Sequence, residues 1–69
     1  MRATEEALRL ARIAELAQRV FGDAGKADRW LRKPKRELSG ATPLACLSSE
    51  AGAHAVEQML NRIDHGTAV

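Results

Sequence analysis

The stretch LSGATPLACLSSEAG, Leu38 to Gly52, constrains this chain more than any other. Within fifteen residues it sets a glycine, a Thr-Pro pair, a short apolar burst, a Ser-Ser pair and a second glycine. Each of these marks a place where a helix stops or starts. The whole chain has 69 residues, enough for one domain. The punctuated stretch is therefore a connector inside that domain, and the segments around it must supply the regular structure.

Those segments read as helices. Ala3, Ala7, Leu10, Ala14, Ala17 and Phe21 recur at alternating spacings of four and three, with Ile13 and Val20 widening the stripe. Thr4 is the expected N-cap, Glu5 and Glu6 suit the positive end of the dipole, and Gly22 is the expected stop. Leu8 and Leu16 fall off this stripe, toward the charged side. Asp23 is placed to cap a second helix over Ala24 to Lys33, with Ala27, Trp30 and Leu31 as its core residues and Pro34 ending it. Leu38 is expected to tuck back onto the core, and Gly40 to permit a sharp turn. Thr42-Pro43 then starts a helix of one to two turns, Pro43 to Leu47. Ser48 or Ser49 caps the last helix, Glu50 to His65, and Gly66 follows as its terminator. Gly52, Val56, Met59, Leu60 and Ile63 form one apolar arc on it. A glycine inside a helix costs up to about 1 kcal/mol against alanine, so a close contact is expected at Gly52. The fold class is all-α, a small bundle of about four helices with one very short. Valine and isoleucine are too few for a sheet.

A domain this small buries a modest core and usually leans on a staple or a partner. Cys46 is the only cysteine, so no intrachain disulfide exists. His54 and His65 lie eleven residues apart on one helix, about 16 Å along its axis. They cannot share a metal and are expected in solvent; no metal site is predicted. Cys46 sits in the burst PLACL, where a thiol packs, and the serines sit where caps and turns belong. Glu5 and Glu6 are adjacent and point different ways, and no phosphate-binding glycine loop occurs. No catalytic residue, cofactor or enzyme activity is expected. No apolar run approaches the roughly 20 residues needed to span a membrane. Glu5, Glu6 and Glu15 interrupt any signal sequence, so a cytoplasmic location is expected.

Charge is uneven. The formal net charge is +2, yet RWLRKPKR, Arg29 to Arg36, holds Arg29, Arg32, Lys33, Lys35 and Arg36 with no acid. The other 61 residues carry six basic and nine acidic groups. Part of the cluster compensates a helix C-terminus. Phosphate contacts need such charge, so a basic-patch DNA-binding module is one reading. No recognition helix with base-reading residues accompanies it, which argues against it. A solvated rim and a docking surface for an acidic protein are the others. A further alternative is a homo-oligomerisation module built on the alanine-rich first helix with Leu8 and Leu16.

The order Trp30-Leu31, Pro34, Leu38, Gly40, Thr42-Pro43-Leu44, Gly52, Val56, Leu60, Ile63 and Gly66 resembles the toxin-binding domain of Xre/MbcA/ParS-type antitoxins. The resemblance runs from about Ala11 to the C-terminus; Lys35 departs from the asparagine common after the proline. It implies an antitoxin of a type II system that neutralises a RES-type, NAD-consuming toxin encoded beside it. It implies that the C-terminal part covers the toxin's active-site cleft, which points to Arg62, Asp64, His65, Gly66, Thr67 and Val69 as toxin-binding. It makes a homodimer an expected form. Relatives often carry a helix-turn-helix domain that represses their operon. Residues 1–69 have no room for one, so a short family member or a fragment of a longer antitoxin is expected, and DNA binding by this chain alone is not.

Overall fold

The computed structural model describes residues 4–66. Among them the chain forms three α-helices and two short 3₁₀ turns, with no strand. Helix α1 spans Glu5–Phe21, α2 Ala24–Arg32 and α3 Glu50–Asp64. The first 3₁₀ turn is Arg36–Leu38 and the second Ala45–Ser48. The class is all-α, but the expected fourth helix is this second 3₁₀ turn. A run of four residues offers too few i→i+4 bonds to outweigh nucleation.

The local signals act as physical stops and starts. Thr4 Oγ1 accepts from the Ala7 N–H at 3.1 Å. Asp23 accepts from the Gly25 N–H at 2.9 Å, and Ser49, the second of the serine pair, accepts from the Gly52 N–H at 3.0 Å. Thr42 Oγ1 accepts from the Ala45 N–H at 3.1 Å, so it caps the second 3₁₀ turn as it would a helix. Gly22 and Gly66 take left-handed φ values of 70° and 71°. Helix α2 stops at Arg32 because Lys33, before Pro34, is extended at φ −98°, ψ 131°.

The connector folds in two stages. Lys35 to Ala41 closes on itself: the Lys35 N–H donates to the Ala41 carbonyl at 3.0 Å and the Gly40 N–H to the Lys35 carbonyl at 2.9 Å. Ser39 and Gly40 are both left-handed, φ 59° and 86°. The Leu44 N–H then donates to the Leu31 carbonyl at 3.1 Å, tying the connector to the end of α2. Leu38 packs against the core as expected, Leu44 packs there too, and Pro43 is fully buried.

Helix α1 packs on both α2 and α3, and α3 on the second 3₁₀ turn. The core is Ile13, Ala17, Ala27, Leu31, Leu47, Ala53, Val56 and Leu60, with Met59 at its edge. The buried face of α1 centres on Ile13, about 80° around the helix from the expected stripe at 100° per residue. Ala7 and Leu10 are therefore exposed, Leu10 by 43%. Leu16 packs against the core instead of lying off it. Leu8 is 59% exposed. Ile63, expected in the core arc, is 41% exposed because the last turn of α3 carries it past the packed region. Trp30 is half-buried rather than buried.

A polar clamp fixes α1 to the connector. The Arg9 guanidinium donates from Nε to the Leu47 carbonyl at 2.8 Å and from a terminal nitrogen to the Ser48 carbonyl at 3.1 Å. Its other terminal nitrogen meets Glu50 at 3.3 Å. These carbonyls are the unpaired end of the second 3₁₀ turn, where a cation is favoured.

Candidate functional site

Two residue sets stood apart in the sequence, the basic cluster and the end of α3. The fold makes them neighbours. Trp30, near the end of α2, stacks on Phe21 at the end of α1, ring centroids 5.8 Å apart and tilted by 45°. The Lys35 ammonium lies 4.7 Å from the centroid of the Trp30 ring, a cation–π contact. Partial burial holds the Lys35 pKa below the ordinary 10.5; Lys33 pushes the same way and Glu37 opposes.

Trp30 and Lys35 separate two hollows. One, of ≈ 720 Å³, runs along α2 with Phe21, Trp30 and Pro34 as its apolar floor and Lys26, Arg29 and Lys33 beside it. The other, of ≈ 260 Å³, lies between Trp30, Lys35 and Glu37 on one side and Met59, Arg62 and Ile63 on the other. Arg62 continues into a third, of ≈ 520 Å³, which it lines with Gln58, Asn61, His65 and Gly66. One face thus runs from the basic edge of α2, across Trp30, to the last turn of α3.

Of the residues expected to bind the toxin, Arg62, His65 and Gly66 share this face. Asp64 is exposed and lines none of the three hollows. Thr67 and Val69 lie outside the described residues. In the basic cluster, Arg29, Arg32, Lys33 and Lys35 line the α2 groove, whereas Arg36 is exposed on the first 3₁₀ turn and lines none of the hollows. Arg32 is held by Asp28 at 2.9 Å. His65 is oriented by its own helix: Nδ1–H donates to the Asn61 carbonyl at 2.8 Å. A carbonyl only accepts, so Nδ1 carries the proton in this contact.

Among the described residues, no three of His, Cys, Asp and Glu gather at metal-binding distance. Cys46 is partly buried and packs against the core. Among the described residues no helix is long and apolar enough to cross a membrane. The face joins apolar side chains to Lys and Arg side chains, with Asp28 and Glu37 among them and the last turn of α3 at one end.

Residues 16–66 match the antitoxin Xre/MbcA/ParS C-terminal toxin-binding domain. The chain belongs to this family. It is similar to an Antitoxin Xre of Pseudomonas putida, 46% identical over 63 residues, which cover 91% of this chain and 40% of that protein. An Antitoxin Xre of Photorhabdus laumondii is 39% identical over 59 residues, covering 84% and 40%. One of Yersinia enterocolitica is 34% identical over 64 residues, covering 91% and 43%. The chain thus spans about 40% of the length of the curated relatives it matches. The matched segment begins inside α1, at Leu16, and holds the residues from Phe21 to Gly66 that line the three hollows.

Arg9 is the residue that sequence reading missed. It sits one turn before Ile13, on the buried face of α1, where an arginine can lay its stem along apolar surface and carry its charged head to polar groups at the rim.

Proposed function

We propose that this chain is the toxin-binding domain of a type II antitoxin and that it neutralises a RES-type, NAD-consuming toxin in the cytoplasm. It acts by covering the toxin's active-site cleft, not by catalysis. The observation that carries this reading is the match to a toxin-binding domain over residues 16–66. Supporting it, Arg62 in the last turn of α3 lines one hollow with Trp30, Met59 and Ile63, and lines the adjoining one with His65 and Gly66. In the proposed complex Arg62, Asp64, His65, Gly66, Thr67 and Val69 enter the cleft, and the basic cluster docks on an acidic rim of the toxin. Co-purification with the product of the neighbouring open reading frame tests this, followed by NAD turnover with and without the chain. Tight association with loss of turnover is expected. Turnover that continues in a saturated mixture contradicts it.

Self-association is a second reading, favoured by the exposure of Leu8 and Leu10 on the first two turns of α1. The homodimer it describes is compatible with toxin binding, because α1 up to Glu15 lies outside the matched segment.

A further inference from the structure

The groove along α2 has a composition that core packing does not require and that compensation of the helix C-terminus explains only in part, since Arg29 lies in the last turn of α2 and Lys26 does not. Its floor is Phe21, Trp30 and Pro34. Lys26, Arg29 and Lys33 follow one edge at spacings of three and four residues, a ridge about 10 Å long. Arg32 is answered by Asp28. Among the described residues, Lys26, Arg29, Lys33 and Lys35 take part in none of the ion pairs. Lys35 lies over the indole, at the border with the hollow that contains Arg62.

We propose that this groove receives an extended acidic segment of the partner protein, with one apolar side chain of that segment seated on Trp30 and Phe21. Side chains on one side of an extended strand recur about every 6.8 Å. The helical rise separates successive cations of the ridge by about 4.5 and 6 Å. Three carboxylates on alternate residues span about 13.6 Å and the three cations about 10.5 Å, a difference that the long Lys and Arg side chains can take up while a neighbour reaches the floor. Lys35 moves off the indole as the apolar side chain arrives and meets a carboxylate at the far end. Duplex DNA fits less well. Asp28 and Glu37 stand beside the cations, and the ridge spans only a few phosphates. The inference rests on the toxin-binding reading for the partner's identity alone.

Trp30 is the only tryptophan in the chain, so its emission reports the groove directly. The chain is titrated with a short synthetic peptide of Asp and Glu carrying one leucine, with the same peptide carrying serine, and with a short DNA duplex. In parallel it is titrated with the toxin. The expected result is a saturable change in Trp30 emission with the leucine peptide and with the toxin. The serine peptide and the duplex bind more weakly. An Arg29→Glu/Lys33→Glu variant loses about tenfold in affinity for both the leucine peptide and the toxin, since exposed charge pairs act singly by a few-fold each. Both positions are exposed, and an unchanged circular dichroism spectrum checks the fold. Toxin binding with unchanged emission and full affinity in the variant overturns the groove and leaves the proposed function standing. Failure of the toxin to bind at all contradicts that function, and the peptide titration then decides the groove by itself. Tighter binding of the duplex than of the leucine peptide also overturns it.

Discussion

The backbone of Gly52 lies directly against the carbonyl of Cys46. A Cβ at Gly52 would collide with the carbonyl oxygen and stand 2.9 Å from the carbonyl carbon. The first turn of α3 and the second 3₁₀ turn can approach this closely only because residue 52 has no side chain. The connector's shape thus depends on a glycine whose φ is ordinary and whose value is steric.

Gly52→Ala is expected to destabilise the domain. Alanine gains about 1 kcal/mol of helix propensity, but overpacking against backbone costs up to about 3 kcal/mol. A net loss of about 2 kcal/mol is predicted, read by urea unfolding. A variant as stable as the parent refutes the close approach.

Arg9→Ala should be costly for a residue in a charged helix. The Arg9 side chain is only 12% exposed, and its guanidinium serves the Leu47 and Ser48 carbonyls. Hydrogen bonds to a charged group contribute about 1.5–3 kcal/mol, so a loss of about 2 kcal/mol is expected in the same assay. Arg12, whose bond to Glu50 is 3.4 Å and mostly exposed, should cost less than about 1 kcal/mol on truncation. Equal effects of the two substitutions contradict the clamp.

Lys35 gives a pH signature. Its folded pKa is lowered, so just below 10.5 the unfolded chain binds more protons at this site than the folded one. The stability contribution of Lys35 therefore rises with pH through that window. Lys35→Met keeps most of the volume and removes the titration. The difference in stability between parent and variant should shift in the parent's favour as pH climbs toward 10.5. A difference independent of pH removes the argument for partial burial of the ammonium.

Leu8→Glu/Leu10→Glu tests self-association. Both leucines are exposed, so stability should change by no more than about 0.5 kcal/mol. If α1 forms a dimer, the parent sediments as a dimer at micromolar concentration and the variant as a monomer. A monomeric parent ends the second reading.

What the sequence made legible was local. Thr4, Asp23, Ser49, Gly22 and Gly66 act within three or four residues of themselves, and each does in the fold what its chemistry suggests. The periodicity of α3 also located Val56, Met59 and Leu60. What failed depended on neighbours. In α1 two apolar stripes overlap, one richer in alanine, and only the positions of α2 and α3 decide that Ile13 faces inward and Leu10 outward. Trp30 looked like core because indole is large, but an aromatic beside Phe21 with a lysine over it can rest at the surface. The basic cluster and Arg62 are 26 residues or more apart in the chain. Their adjacency across Trp30 follows from the connector's two turns, which no residue spacing encodes.

The most direct test of the account compares the affinity of the toxin for the full chain with its affinity for a chain ending at Ile63. Loss of binding energy concentrates in a few central contacts, so removal of Asp64 to Val69 should weaken binding by at least about tenfold and restore NAD turnover. Unchanged affinity and continued inhibition by the shortened chain would contradict a role for the end of α3 and its tail at the toxin's active site.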